Sequence, residues 1–119
     1  MLARIILRLF INAVALWVAA WALRGIQLSG EFWEVLLVAL VFGLVNALIR
    51  PVFLLLSLPL LILTLGLFTL AINAFMLMLT AVLTTSLEVA GFWTALWGSI
   101  LISLVSFALS SLVGEPAKG

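Results

Sequence analysis

Residues 51–66 read PVFLLLSLPLLILTLG, and this stretch restricts the possible folds of the chain. It begins an uncharged, mostly apolar run that continues as far as residue 87. A single helix of that length would be about 55 Å long, well beyond the roughly 30 Å hydrocarbon core of a bilayer. Two crossings of about 20 residues each, with a turn between them, would need more chain. The run therefore predicts one crossing and one shorter piece.

Helix-breaking residues indicate where the shorter piece lies. Proline removes a backbone donor and glycine favours turns, so Pro51, Pro59 and Gly66 predict breaks in the helix. We predict a half-span, re-entrant or interfacial, over about 51–65. A full helix is expected to follow over about 67–86.

Charged residues separate three further apolar runs, each long enough for one crossing. We predict helices over about 5–23, 32–50 and 92–112. Hydrophobic residues make up 68% of the 119 residues and charged residues 8%, whereas soluble domains are about half apolar and a quarter charged. A soluble fold of this size could not bury so much apolar surface. We therefore predict an all-α membrane protein, a four-helix transmembrane bundle in a single domain.

Short motifs recur about 60 residues apart, which indicates an internal duplication. Residues 11–13 and 72–74 read Ile-Asn-Ala, residues 32–33 and 92–93 read Phe-Trp, and Gly-Leu-Val-Asn at 43–46 resembles Ser-Leu-Val-Ser at 103–106. The predicted architecture is two tandem helical hairpins. Since each unit crosses the membrane an even number of times, the hairpins are parallel and related by an axis along the membrane normal.

The basic residues predict the orientation. With four crossings and both termini in the cytoplasm of a bacterial cell, only Arg24 is external, which satisfies the positive-inside rule. The cytoplasmic basic residues are then Arg4, Arg8, Arg50 and Lys118. All five tryptophans fall toward the outer face: Trp17, Trp21, Trp33, Trp93 and Trp97. We predict a multi-pass protein of the cytoplasmic (inner) membrane with a one-sided aromatic belt.

Three asparagines, Asn12, Asn46 and Asn73, are the strongest polar groups at membrane depth. Their amides need hydrogen-bond partners away from water. We expect them to join helices, each such bond contributing about 0.6 kcal/mol. A substrate or ion site is the alternative.

Small residues form a stripe on each of two predicted helices. The last helix carries Ala95, Ser99, Ser103, Ser106 and Ser110, and the second helix carries Ala39, Gly43, Asn46 and Ala47. Small residues allow the close helix packing that drives association in lipid. The stripes are expected to pack these two helices together, or alternatively to join subunits or line a wet path between protomers.

The arginines are interpreted as cytoplasmic anchors. Arg4 and Arg8 lie on one helix face just inside the membrane and set the orientation. Arg50 precedes a proline, which disfavours helix at that position, and is expected to snorkel to the surface. Contact with lipid headgroups, or with carbonyls freed by the break, is the alternative for Arg50.

Catalytic and cofactor chemistry has little support in the composition. Cysteine, histidine, tyrosine and aspartate are absent, which removes the usual thiolate and imidazole ligands and proton shuttles. Glu31, Glu34 and Glu88 are interpreted as solvated charges at helix ends. We expect no enzyme activity, no cofactor, no metal site and no nucleic-acid binding.

Three segments together resemble a known family: Asn-Ala-Leu-Ile-Arg-Pro at 46–51, the apolar stretch 54–66, and Ile-Asn-Ala at 72–74. They are similar to the small bacterial proteins of the mycobacterial-type four-transmembrane phage holin family, superfamily IV. The resemblance covers about residues 3–113. It implies a four-span inner-membrane protein without enzyme activity; holins as a class assemble into membrane lesions, although many members are chromosomal proteins of unknown role. The chain carries only Lys118 where holins typically have a strongly basic tail.

Three functions remain open at this point. The first is a holin-like protein that self-associates and perturbs the membrane. The second is an accessory structural subunit of a larger membrane complex, and the third is a small transporter or channel. The expected partners are the lipid bilayer and either further copies of the chain, as a homo-oligomer, or other membrane-protein subunits.

Overall fold

The computed structural model describes residues 2–113, which form six helices and two short strands. In chain order they are α1 (Leu2–Ala22), β1 (Ile26–Leu28), α2 (Phe32–Leu48), α3 (Arg50–Leu56), α4 (Leu58–Leu63), α5 (Phe68–Leu83), β2 (Leu87–Val89) and α6 (Phe92–Leu112). Lys118, which the orientation argument counts, lies outside the described residues.

Four helices form the bundle. Helix α1 packs against α2 and α6, and α5 packs against the same two helices. The order around the bundle is therefore α1, α2, α5, α6, with α1 diagonal to α5 and α2 diagonal to α6. The fold is an all-α four-span membrane protein, as the sequence predicts. Helix α5 has only 16 residues and is thus about 24 Å long, shorter than the roughly 30 Å core.

An antiparallel ribbon at one end of the bundle, β1–β2, was not predicted from the sequence. Its register pairs Gln27 with Glu88 at the centre. Two flanking hydrogen bonds extend it, Ser29 N to Ser86 O and Ala90 N to Gly25 O, both 2.8 Å. These bonds are equivalents, because each residue of one bond lies 61 positions from its counterpart in the other (86 − 25 and 90 − 29).

The ribbon therefore has the local two-fold symmetry that the repeated motifs suggest. Asn12 and Asn73 are separated by the same 61 positions (73 − 12). The diagonal arrangement of α1 and α5, and of α2 and α6, fits one axis through the middle of the bundle.

Two apolar clusters hold the fold together. The larger one joins the four bundle helices and the ribbon through small and branched side chains such as Leu16, Ala39, Leu77 and Ala95. The smaller one, Val45, Ile72 and Met76, lies where α2 meets α5. Close contact through alanines is the packing mode expected of helices in lipid.

Helices α3 and α4 occupy the stretch for which a half-span is predicted. Helix α3 follows α2 after the single residue Ile49, whose backbone remains near the helical region, so that Phe32–Leu56 forms a kinked apolar helix of 25 residues. Each proline lies in the first turn of its helix, where its missing donor costs little. The re-entrant or interfacial placement of this segment stays a prediction.

Helix α5 ends earlier than its apolar run suggests, at Leu83 instead of about 86. The helix that begins at Phe32 instead continues past the predicted end near residue 50, as far as Leu56. The chain turns extended at Thr84, with φ −125° and ψ 164°, because the next residues lead into β2. Apolar run length alone does not mark such an exit.

Candidate functional site

Asn12 and Gly43 lie against each other at the contact between α1 and α2. A β-carbon at Gly43 would be 3.3 Å from the Asn12 Nδ2 atom. The absence of a side chain at position 43 thus leaves room for the Asn12 amide. Of the predicted helix-packing residues, these two are brought together.

Asn46 and Asn73 each leave one buried oxygen unsatisfied. The Asn46 Nδ2 atom donates to the Phe42 carbonyl of its own helix at 2.7 Å. The Asn46 Oδ1 and Asn73 Oδ1 atoms are buried and have no hydrogen-bond partner within residues 2–113. The expected bonds between helices are therefore not formed by these oxygens in the described chain.

Arg50 adds a third such atom on the same side of the helix as Asn46. Its Nε is buried without a hydrogen-bond partner among the described residues. The backbone bonds Ile49 N to Val45 O and Phe53 N to Ile49 O carry the helix across the kink, so residues 46 and 50 share a face. Arg50 and Arg8 are both half-buried, whereas Arg4 is exposed.

We expected the serine stripe of α6 to pack on the small-residue stripe of α2, but it does not. The two helices are diagonal, and each packs against α1 and α5. Helical spacing identifies residues on one face but not which neighbour that face meets. Ser99 and Ser110 are buried, Ser106 is half-buried and Ser103 is exposed. The Ser99 Oγ donates to Leu96 O at 2.9 Å, within its own helix.

The tryptophans lie at the end of the bundle that carries the ribbon, and all five are exposed. Two occur in the last turns of α1, one in the first turn of α2 and two in the first turns of α6. Amphipathic indole rings favour the membrane–water interface. The arrangement gives the ribbon end an aromatic border, and its side of the membrane stays a prediction.

Two cavities open on the surface of the described residues. One, of about 480 Å³, lies between the end of α1 and β1 and has both aromatic and polar lining residues, including Trp17, Trp21 and Arg24. The other, of about 260 Å³, is an apolar groove between Phe53 of α3 and the Phe75–Val82 face of α5. Sequence reasoning missed both, because each depends on how a later segment folds back over a helix.

Within residues 2–113 there is no group of three or more histidine, cysteine, aspartate or glutamate side chains that could hold a metal ion. Glu34 accepts a hydrogen bond from the Glu31 backbone N–H at 2.7 Å and so stabilises the start of α2. Glu88 is exposed on the ribbon.

Comparison with known proteins identifies similar chains. The family described as mycobacterial 4 TMS phage holin, superfamily IV, matches residues 3–108. An uncharacterized protein of Streptomyces coelicolor is 44% identical over 113 residues, covering 87% of this chain and 90% of the relative. The uncharacterized membrane protein YvlD of Bacillus subtilis is 32% identical over 111 residues, covering 92% of each. No solved structure matches the chain significantly.

Proposed function

The chain belongs to the mycobacterial four-transmembrane phage holin family, superfamily IV, and from this premise we propose that it is a non-enzymatic, holin-like protein that self-associates and changes the permeability of the membrane. Its relatives are bacterial. The chemistry of the described residues supports a role based on contacts with lipid and protein, since the site residues are amides, serines and arginines without a nucleophile–base pair.

One observation carries the proposed self-association: α3 and α4 contain no buried residue. Their surface consists largely of leucine, and Leu56 is 77% exposed and Leu63 78% exposed. Exposed leucine costs little in lipid, so the free energy gained on contact with a second copy must come from close packing of the side chains. Helices α3 and α4 are lightly packed within the chain and almost uniformly apolar, so their surface is suited to packing against a second copy.

The serine stripe of α6 is a weaker candidate for the same contact. Ser99 and Ser110 are used inside the bundle, which leaves Ser103 as the exposed member. We therefore assign the contact between copies to α3–α4, which we name the leucine segment (residues 50–63).

Cysteine cross-linking tests the contact directly, because the chain has no cysteine of its own. Leu56→Cys in the leucine segment should form a cross-linked dimer in oxidised membranes. Leu104→Cys, 61% exposed on α6, is the matched control and should remain monomeric. Equal cross-linking at both positions, or at neither, would contradict the assignment.

Permeabilisation is tested in growing cells. Induced expression should collapse the membrane potential, reported by a potential-sensitive dye, and Leu55→Ala with Leu56→Ala should delay the collapse. Cells that express the protein in the membrane and keep their potential would contradict the proposal. Recovery of a stoichiometric unlike subunit in mild detergent would favour the accessory-subunit function instead.

Transport is a second candidate, favoured by one specific observation. Three buried polar atoms without partners, on Asn46, Arg50 and Asn73, belong to elements that pack together. Polar groups at membrane depth mark solute paths in many transporters. Solute flux into liposomes that is lost on Asn73→Leu, with the cell potential unaffected, would support this function over the first.

The topology proposed with this function places both termini in the cytoplasm and the ribbon outside. Arg4 and Arg50 lie at the end of the bundle away from the ribbon, consistent with the positive-inside rule. Ser29→Cys, in the loop after β1, should react with an impermeant maleimide from outside intact cells. Labelling only after permeabilisation would reverse the topology.

A further inference from the structure

The cavity at the ribbon end is bounded by α1 on one side and β1 on the other. It is open on one side and has a volume of about 480 Å³, within the size range of small-ligand sites. Its lining includes Trp17, Trp21, Arg24, Gln27, Leu28 and Ser29. Trp17 is 59% exposed and Trp21 77% exposed, so a large part of each indole is available to a ligand.

The lining changes from apolar to polar along the axis of α1. Trp17 and Trp21 are four residues apart and share a helix face. Beyond the end of the helix at Ala22 come Arg24, Gln27 and Ser29. A ligand that fits this order has an apolar body alongside the helix and a polar, anionic head above it.

The internal repeat shows that this polarity is peculiar to the first hairpin. The positions 61 residues later, where the second hairpin has its equivalents, read Met78, Val82, Thr85 and Glu88 in place of Trp17, Trp21, Arg24 and Gln27. The second hairpin thus has neither the two indoles nor the cation at these positions, and it has a carboxylate in place of Gln27. Its corresponding helix face borders a different, apolar groove, which Phe53 lines together with Met78 and Val82.

We propose that the α1–β1 cavity binds the phosphate headgroup of an anionic phospholipid. The Arg24 guanidinium presents a planar set of donors suited to phosphate oxygens. Gln27 offers further amide donors to the glycerol or phosphate oxygens, while the Ser29 hydroxyl donates to Ser86 O across the ribbon. Trp17 and Trp21 line the path of the glycerol backbone and the upper acyl chain, at the depth that indole rings prefer.

The nearby carboxylates do not occupy this site. Glu31, Glu34 and Glu88 are at the same end of the bundle, and Glu88 pairs with Gln27 across the ribbon, but none of the three lines the cavity among the described residues. Glu34 is engaged with the Glu31 backbone N–H. The positive charge within the cavity therefore comes from Arg24, and an anionic headgroup is favoured over a zwitterionic one.

Tryptophan quenching in nanodiscs tests the proposal on the full chain. Trp33, Trp93 and Trp97 are changed to phenylalanine, which leaves the two cavity indoles as reporters. A minor fraction of acyl-brominated phosphatidylglycerol or phosphatidylcholine is added to an otherwise unbrominated bilayer. One basic residue near anionic lipid is equivalent to about 1 kcal/mol, so phosphatidylglycerol should be enriched about fivefold at the reporters.

The arginine variants decide the outcome. Arg24→Gln should reduce the quenching by phosphatidylglycerol to that of phosphatidylcholine, and Arg24→Lys should retain part of the excess. Arg4→Gln, a matched change at the opposite end of α1, should leave the excess unchanged. Far-UV circular dichroism verifies that each variant is folded.

Three results would overturn the proposal: equal quenching by the two lipids in the unmodified cavity, an excess that survives Arg24→Gln, or an excess abolished by soluble glycerol phosphate. The last would assign the site to a free phosphate compound. The assay reads lipid contact alone, so its result is independent of whether induced cells lose their membrane potential.

Discussion

Gln27 pairs with Glu88 at the centre of the two-stranded ribbon, and the two residues are 61 positions apart in the chain (88 − 27). The same separation relates Asn12 to Asn73 on the diagonal helices α1 and α5. The ribbon is therefore where the two hairpins exchange equivalent backbone bonds. It ties the hairpins together at one end, while the helices pack below it.

Gly98 of α6 leaves room for the ribbon residue Ile26. The Ile26 side chain lies so close to Gly98 that an added β-carbon would collide with the Ile26 Cδ1 atom. Gly98→Ala is expected to destabilise the protein by about 1–3 kcal/mol through overpacking. Thermal unfolding in detergent, followed by circular dichroism, measures the effect.

Removal of the colliding atom provides the control. Ile26→Val deletes Cδ1 and should recover most of the stability in combination with Gly98→Ala, so that the two changes are strongly non-additive. If the two losses instead add, the close contact between these residues does not govern the effect.

The unsatisfied Asn46 oxygen leads to a second prediction. Its Nδ2 binds a carbonyl of its own helix, while its Oδ1 has no partner in the described chain. Asn46→Leu removes this hydrogen bond, but it also removes a buried oxygen without a partner, which is costly. The two effects oppose each other, so the free energy of unfolding should change by less than about 1 kcal/mol. Asn12→Leu should cost about 1–3 kcal/mol, since the larger side chain meets Gly43.

The same pair of variants separates a structural role from a functional one. If Asn46→Leu is well folded yet loses solute flux in liposomes, Asn46 belongs to a transport site. A large loss of stability would mean that its oxygen has a partner which the described residues do not supply.

The number of crossings could be predicted from the sequence because it depends on apolar run length, a local property. The ribbon could not. Each strand has only three residues, too few for alternation to stand out. The available signal was the repeat itself, since Ile26-Gln27-Leu28 and Leu87-Glu88-Val89 are both apolar–polar–apolar at the same offset.

The same distinction between local sequence properties and long-range packing applies to the candidate sites. Gly43 and Asn12 were identified as packing residues from small size and buried polarity, and the structure places them in contact. The predicted partner of the serine stripe was wrong. Residue spacing identifies a helix face, whereas the order of the helices around the bundle depends on long-range packing. The Arg24 cavity was missed, since it exists only where β1 turns back beside α1.

The serine stripe of α6 gives a third prediction. Ser99 is 3% exposed and bonds within its own helix, so it serves mainly as a small residue. Ser99→Ala should change stability by less than about 1 kcal/mol, whereas Ser99→Leu should lose about 1–3 kcal/mol by overpacking. Ser103→Leu, on the exposed part of the stripe, is the control and should be tolerated. A similar loss for both leucine variants would mean that Ser103 is buried in an assembly.

The turn that ends α4 provides the last prediction. Gly66 adopts φ 89°, a left-handed conformation, and a β-carbon there would meet nothing within 4 Å. Gly66→Ala is therefore strained by the backbone alone and should destabilise the protein by about 1 kcal/mol. Gly43→Ala, at a position without positive φ but with a neighbouring amide, is the matched control and tests crowding instead. If the leucine segment is the contact between copies, Gly66→Ala should also weaken the Leu56→Cys cross-link by shifting α4. Loss of stability with an unchanged cross-link would confine the effect of this turn to the single chain.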